Sequence, residues 1–510
     1  MYNSQFFFLR NVAISSAAKS CGSKKLCLAA SNTLRANSRA SLTGSLSRSS
    51  LLRRLTSIPK KRTFATIAPL RNAAGENAVK TERVSPEMAE AMQAFSSAKG
   101  QGQQGSETNA GKKRGLPMNS SNTVGYWLVG SAGLVFGIVV LGGLTRLTES
   151  GLSITEWKPV TGALPPMNQQ DWQNEFDLYR NSPEFKILNT NMTLEEFKFI
   201  YFMEWAHRLW GRAIGLTFVV PAAYFVLKRR VSAHTAKRLL LISGLIGFQG
   251  FIGWWMVKSG LDPALEQNGA HPRVSHYRLA THLGAAFLVY VAMLNTGFQV
   301  LRENKWIKNP EAALKEIATL SNPAIRTFKR CCTGLVGLVF ITAMSGALVA
   351  GLDAGLIYNS FPYMGETIIP PTKELFSTFY SKAEGAKFYL TNMLENPTAV
   401  QFNHRVLATT TFCATFLVHM YSLRLRPFLP RPVIKTGARA MGMVTLQAAL
   451  GISTLVYVVP TPLASAHQAG SLFLLTLACI LSQRLKLPRT TIKHLLTVLM
   501  KKQAQAGPKV

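Results

Sequence analysis

Acidic residues are scarce in this chain, and its first part has none. Of 510 residues, 24 are Asp or Glu and 57 are Lys or Arg, which gives a formal net charge of +33. No acidic residue occurs between Met1 and Gly75, where basic residues are scattered among Ser, Ala and Leu. These charges interrupt the segment throughout and exclude the continuous apolar core of a secretory signal. We therefore predict a mitochondrial presequence over residues 1–64 and a disordered linker, rich in Gly, Gln, Ser and Lys, over residues 65–120.

Paired cysteines and a nucleic-acid-binding stripe are also missing. The six cysteines show no framework of paired spacings, so a disulfide-stabilised fold is not expected. The basic residues gather in the leader and in alternate loops, without an aromatic and basic groove among them. That distribution argues against a nucleic-acid partner in spite of the high charge.

Charged residues make up only 16% of the chain and hydrophobic residues 47%. Apolar runs fall at about residues 124–144, 204–226, 239–257, 279–299, 333–352, 404–423, 439–459 and 465–483. Each run is long enough to cross a bilayer as a helix, which satisfies its own backbone hydrogen bonds in lipid. The fold class that follows is an all-α integral membrane protein with eight transmembrane helices.

The charges of the loops orient these helices. Basic residues concentrate in alternate loops, including residues 228–238, 302–330 and 424–439, whereas the opposite loops carry most of the acidic residues. Because basic loops stay on the side from which a protein is inserted, we place them in the matrix. The expected location is the mitochondrial inner membrane, with several passes and both termini in the matrix.

The two halves of the chain align with each other. Matching positions are Gly142 and Gly346, His207 and His404, Gln249 and Gln447, and His282 and His467. An even number of helices per repeat makes the halves parallel, related by an axis along the membrane normal. We predict two parallel-repeat four-helix bundles, over residues 121–300 and 331–485, joined by a matrix connector over residues 301–330 and followed by a basic matrix tail over residues 486–510.

Four histidines, His207, His282, His404 and His467, recur at matched repeat positions a few residues inside apolar helices. Two helices that each present one histidine to a common interior can hold a haem iron between them. The alternative for any single one is an imidazole that anchors a helix at the membrane interface. Recurrence of the whole set favours two haem sites.

One residue distinguishes the two sites. Glu204 lies one helical turn before His207, whereas the matching residue before His404 is Gln401. A carboxylate can accept a proton, position water or stabilise a cation, and an amide cannot take up the charge. We therefore predict that the first site is reactive and the second is an electron carrier. The alternatives are an interfacial acid paired with Arg208 or Lys198, and a di-iron site, for which a second Glu-x-x-His motif is missing.

Several arginines accompany the histidines near the same membrane face. Arg208, Arg212, Arg278 and Arg405 are candidates for binding haem propionates or for ordering Glu204. Arg212 is expected deeper in the bilayer, where a cation needs a partner or a cavity. The alternative, most pertinent to Arg208 and Arg405, is an arginine that extends to the aqueous boundary.

Several separate motifs together resemble a known family. They are Glu204-Trp-Ala-His207-Arg208-Leu-Trp-Gly-Arg212, Gly346-Ala-Leu-Val-Ala-Gly-Leu-Asp353-Ala-Gly, Asn359-Ser-Phe-Pro and Phe402-Asn-His404-Arg405. With them the chain resembles the mitochondrial haem A synthases, a family of cytochrome c oxidase assembly factors, over about residues 121–485. The resemblance implies oxidation of the C8 methyl of haem O to a formyl group, which gives haem A.

The resemblance also implies roles for individual residues. His207 and His282 would flank the substrate haem, Glu204 would be the catalytic carboxylate, and His404 and His467 would ligate a permanent haem b. Its partners would be inner-membrane lipid, a redox partner and the haem O synthase, and a homo-oligomer remains open. Bacterial relatives often carry cysteine pairs in the external loops, which this chain lacks.

Two functions from other classes are compatible with parts of the pattern. A di-haem electron-transfer cytochrome with bis-histidine ligation explains the four histidines but not the difference between Glu204 and Gln401. A transporter fits parallel repeats and an intramembrane arginine, but the spans contain no obvious pair of broken helices.

Overall fold

The computed structural model describes residues 115–159, 161–267, 271–488, 491–492 and 495–497. Within these ranges, eight helices are long and apolar enough to cross a membrane, which confirms the predicted number. They are α1 (Asn122–Leu147), α2 (Leu194–Leu227), α3 (Ala233–Lys258), α4 (His276–Lys308), α5 (Arg326–Gly351), α6 (Pro397–Arg424), α7 (Arg431–Val456) and α8 (Thr461–Leu485). The predicted presequence, most of the linker and most of the basic tail lie outside the described residues.

Most of these helices extend several residues beyond the apolar runs. The clearest case is α2, whose predicted span begins at 204 but whose first helical residue is Leu194. Thr193 and Glu196 form a capping box: the Thr193 hydroxyl accepts from the Glu196 N–H, and Glu196 accepts from the Thr193 N–H at 2.9 Å. This cap starts the helix outside the apolar segment, because it satisfies N–H groups that have no partner in the first turn.

The first four long helices contact one another in a closed sequence: α1 packs on α2, α2 on α3, α3 on α4, and α4 on α1. The last four repeat the order, with α5 on α6, α6 on α7, α7 on α8, and α8 on α5. The two sets contact each other where α4 packs on α5 and α8, and where α1 packs on α8. The main apolar core runs through both sets, with fully buried Leu128, Phe287 and Phe328 among its members.

The segment between α1 and α2 forms a small external layer of its own. It contains the short helices Gln169–Arg180 and Pro183–Ile187, and aromatic side chains bury it against the outer part of α2. The rings of Phe176 and Tyr179 lie 5.0 and 5.2 Å from that of Phe197 on α2. This packing fixes the loop that follows α1 above the histidine-bearing part of α2.

Candidate functional site

The four repeated histidines line one cavity of about 1980 Å³. Each comes from a different helix: His207 from α2, His282 from α4, His404 from α6 and His467 from α8. Pockets for single small ligands are typically about 300 to 1,000 Å³. The cavity therefore has the volume for two ligands of macrocycle size.

The first pair of imidazoles has a separation that suits a shared metal ion. The ring centres of His207 and His282 lie 6.5 Å apart, with 66° between the ring planes. An iron bound by two imidazole nitrogens at roughly 2 Å each separates the ring centres by roughly 6 Å. The residues present at this site thus fit a haem iron bound between α2 and α4.

A glycine on a neighbouring helix makes room for each imidazole. A methyl group on Gly142 would lie 3.0 Å from the His207 ring, and one on Gly253 would lie 3.1 Å from the His282 ring. In the second half the corresponding distances are 3.1 Å from Gly346 to His404 and 2.7 Å from Gly451 to His467. Any side chain at these positions would displace a histidine. The alignment of the two halves matches Gly142 with Gly346, but it did not identify Gly253 or Gly451.

The second histidine of each pair, His282 or His467, is held by a glutamine. The Gln249 amide nitrogen lies 3.1 Å from Nδ1 of His282 and donates to the His282 carbonyl at 2.8 Å. The Gln447 amide makes the same two contacts with His467, at 3.1 and 2.7 Å. The repeat alignment matches the two glutamines, and that match was the available signal for a shared role. In each half the glutamine side chain thus holds the imidazole ring in place.

Glu204 is buried, with 3% of its surface exposed, and it accepts three hydrogen bonds. One carboxylate oxygen receives the Ser153 hydroxyl at 2.7 Å and the Ile154 N–H at 2.8 Å. The other receives the Arg208 guanidinium at 2.6 Å. The predicted alternative of pairing with Arg208 is thus observed, whereas Lys198 pairs with Glu195. The carboxylate nonetheless lines the cavity that the histidines share.

Gln401 occupies the matching place in the second half and bonds in the opposite sense. Its amide donates to the carbonyl groups of Ala354 and Tyr358, at 2.9 and 3.2 Å. In both halves the residue three positions before the first histidine, Glu204 or Gln401, therefore connects the external loop to the helix that carries that histidine. Only in the first half does this contact place a carboxylate in the cavity wall.

The four candidate arginines all line the cavity, and each donates to backbone carbonyl groups. Arg208 donates to Ile154 at 2.9 Å, Arg405 to Ser360 at 2.9 Å, and Arg278 to Trp255 at 2.7 Å. Arg212 donates to Lys158 at 2.8 Å and to Pro159 at 2.9 Å. Its remaining Nη1 is buried and has no hydrogen-bond partner among the described side chains and backbone.

Glu184 is a cavity residue that the sequence analysis missed. It is 4% exposed and lies on the external helix Pro183–Ile187, where the Tyr179 hydroxyl donates to it at 3.1 Å. Burial, with a smaller contribution from the nearby Glu204 carboxylate, raises the pKa of this carboxyl group to about 8. No pattern in the sequence distinguishes it from the solvated acids of the same loop.

This raised pKa predicts a pH dependence of stability. The folded state holds the Glu184 proton from about pH 4.5 to about pH 8, where the unfolded state has lost it, so Glu184 destabilises the fold increasingly as pH rises through that range. The free energy of unfolding of Glu184→Gln, relative to that of the wild type, should therefore rise by on the order of a few kcal/mol between pH 5 and pH 8. The measurement is the unfolding temperature of both proteins in detergent across that range.

Glu196→Gln is the matched control on the same external segment. The pKa of Glu196 is lowered by the hydrogen bonds from Thr193, so its titration ends below the range tested. Its difference from the wild type should stay constant between pH 5 and pH 8. Equal pH profiles for the two variants would contradict the assignment of a raised pKa to Glu184.

Comparison with known proteins places the chain in a family. Residues 125–479 match the COX15-CtaA family, described as cytochrome oxidase assembly protein. Heme A synthase COX15 of Saccharomyces cerevisiae is 52% identical over 77% of this chain and 81% of its own length. The human heme A synthase COX15 is 46% identical over 73% of this chain and 85% of its length.

A third relative has a second component in its name. The heme A synthase-mitochondrial ferredoxin fusion protein of Schizosaccharomyces pombe is 50% identical over 74% of this chain and 62% of its own length. Residues 125–479, which match the family model, contain nearly all of the eight helices and all four cavity histidines. This chain belongs to the COX15-CtaA family of cytochrome oxidase assembly proteins.

Proposed function

We propose that this protein is a haem A synthase of the mitochondrial inner membrane, which oxidises the C8 methyl of haem O to a formyl group. The observation that carries the proposal is the paired imidazoles of His207 and His282, 6.5 Å apart, in a cavity whose wall contains the Glu204 carboxylate. The relatives named haem A synthases supply the reaction. The geometry supplies the residues that could perform it.

In this proposal His207 and His282 bind the iron of the substrate haem O. Arg212 offers its unpartnered Nη1 to a propionate, since a buried guanidinium N–H favours a carboxylate partner. Arg208 and Arg405 hold the external loops over the cavity through their bonds to carbonyl groups, and Arg278 on α4 bonds to the Trp255 carbonyl near the end of α3. These contacts orient the substrate and keep bulk water away from it.

Glu204 is the catalytic carboxylate. Oxidation of the methyl group withdraws electrons from the haem edge, and a negative charge close by stabilises the positive charge that develops there. The hydrogen bonds from Ser153, Ile154 and Arg208 fix the carboxylate before the reaction, so no reorganisation is required. In the same position Glu204 can accept a proton from the water molecule that supplies the new oxygen.

His404 and His467 hold a permanent haem b in the second half. When bound, that haem supplies one-electron transfer for the oxidation. Gln401 stands at the position where the first site has the Glu204 carboxylate, and an amide cannot take up a proton there, in keeping with a carrier role. The two sets of four helices are then two parallel bundles with the same ligand arrangement and different chemistry. We place both termini in the matrix on the distribution of basic loops.

The redox partner we propose is a mitochondrial ferredoxin. The S. pombe relative combines a haem A synthase and a mitochondrial ferredoxin in one chain, and fusion makes an encounter between two proteins intramolecular. Because water supplies the new oxygen, the oxidation releases electrons, which pass through the second haem to this partner. Oxidised mitochondrial ferredoxin should therefore reoxidise the dithionite-reduced b-type haem of the purified protein. A haem that stays reduced with the ferredoxin but is reoxidised by ferricyanide would rule out this partner.

The experiment that tests the function is conversion of the substrate. The protein is expressed in membranes that contain haem O and no other haem A synthase, and the extracted haems are identified by mass. Haem A, which has gained one oxygen and lost two hydrogens relative to haem O, is the expected product. Two unmodified b haems with unconverted haem O would instead favour the di-haem electron-transfer cytochrome.

A further inference from the structure

The two halves differ in the residue that precedes the glycine beside the first histidine of each pair, His207 or His404. Gly142 of α1 makes room for His207, and Gly346 of α5 makes room for His404. The residue immediately before the glycine is Leu141 in the first half and Ser345 in the second. The matching position therefore carries an apolar side chain beside one site and a hydroxyl group beside the other.

Ser345 forms a short hydrogen-bonded chain with His404. Its hydroxyl donates to the Thr342 carbonyl at 2.7 Å and lies 2.8 Å from Nδ1 of His404. Because the hydroxyl donates its single proton to the Thr342 carbonyl, its oxygen is left to accept a hydrogen bond from the Nδ1–H of His404. A proton on Nδ1 leaves the Nε2 lone pair free, which is the state that binds a metal ion.

His207 has no such partner. Within the part of the chain that the structure describes, its ring makes no hydrogen bond. Its orientation also differs, since Nε2 is the ring atom nearest Gly142, whereas Cε1 of His404 is nearest Gly346. His207 and His404 thus occupy matching places in the fold but differ in hydrogen-bond partner and in ring orientation.

We infer that Ser345 is a positioning residue that makes the second site the one that retains its haem, and that Leu141 leaves His207 a weaker ligand at the site where haem must exchange. This inference rests on the proposed function, in which one haem is substrate and product and the other is permanent. A hydrogen bond to Nδ1 fixes the ring and makes the imidazole a stronger electron donor to the metal. Loss of such a partner typically lowers metal affinity about 10- to 100-fold.

The test removes the hydroxyl group from the second site and introduces one at the first. Purified protein that contains protohaem in the second site and haem O in the first is mixed with excess apomyoglobin, and each released haem is identified after extraction. Ser345→Ala should release protohaem about 10- to 100-fold faster and leave haem O release unchanged. Leu141→Ser should slow the release of haem O about 10-fold, because a hydroxyl at this position lets the His207 ring take the orientation of His404, with its Nδ1–H donating to the new oxygen.

Two further variants separate this role from a general effect on packing. Ser345→Thr keeps the hydroxyl and should keep the wild-type release rate. Ser471→Ala is the matched control, since Ser471, like Ser345, donates to the carbonyl three residues earlier, at 2.7 Å, and no hydrogen bond joins it to an imidazole among the described residues. The midpoint potential of the second haem should rise in Ser345→Ala and stay constant in Ser471→Ala, because only the first loses electron donation from the ligand.

Failure of the role of Ser345 and failure of the proposed function give different results. Two bound haems whose release rates are the same in wild type, Ser345→Ala and Leu141→Ser would overturn the inference and leave the proposed function standing. A wild-type protein that binds no haem would overturn both. If Ser345→Ala does not fold, Leu141→Ser decides alone, since it leaves the second half intact.

Discussion

Glu204→Gln should retain both haems and lower the formation of haem A about 10²- to 10⁴-fold, the usual contribution of a positioned acid or base. Glutamine has almost the same shape, and its amide oxygen can still accept from Ser153 and Ile154. It carries no negative charge to stabilise a developing cation and cannot take a proton from water. The measurement is the ratio of haem A to haem O extracted from membranes that contain equal amounts of each protein.

Glu204 also ties the external loop to α2, so a control must separate that role from the chemistry. Ser153→Ala removes one of the three hydrogen bonds and keeps the carboxylate. We expect it to retain most of the haem A formation. Gln401→Glu places a carboxylate at the matching position of the second site and should not create a second reactive centre, because the haem bound there is not haem O. Normal haem A output from Glu204→Gln would remove Glu204 from the mechanism.

Either His404→Ala or His467→Ala should abolish the b-type absorption of the second site. Removal of one ligand leaves the iron with a single protein bond and opens a cavity where the ring was. The loss should be close to complete in the reduced-minus-oxidised spectrum of the purified protein. Haem O should still bind in the first half, because its own ligands His207 and His282 are unchanged.

His419→Ala is the matched control for this experiment. His419 lies on α6, as His404 does, and it is partly buried, but it has no repeat partner and does not line the cavity. Its removal should leave the spectrum unchanged. A wild-type spectrum in both His404→Ala and His467→Ala would mean that these two residues do not hold the second haem.

Much of the site could be predicted from the sequence, because the alignment of the two halves compares each residue with a counterpart. The eight spans follow from apolar runs, and the four histidines and the Glu204 and Gln401 difference follow from matched positions. The structure brings all of these residues to one cavity. The start of α2 was misplaced by ten residues, because an apolar run does not reveal the capping box that begins this helix outside it.

Other features depend on contacts that periodicity does not encode. The carbonyl groups that Arg208, Arg212 and Arg405 bind belong to irregular loops, whose path cannot be read from residue spacing. The burial of Glu184 depends on aromatic packing within the external layer. The alignment of the two halves places Ser345 opposite Leu141, but it does not reveal the 2.8 Å contact between Ser345 and the His404 ring on another helix.

The central claim is that two pairs of imidazoles each hold a haem and that a carboxylate stands beside only one of them. The most direct measurement is extraction and mass analysis of the porphyrins from the purified protein, with their ratio to protein. The account predicts two haems per chain, one of them protohaem and the other haem O or its oxidised products. A chain that carries no haem, or only unmodified protohaem when haem O is abundant, would contradict it.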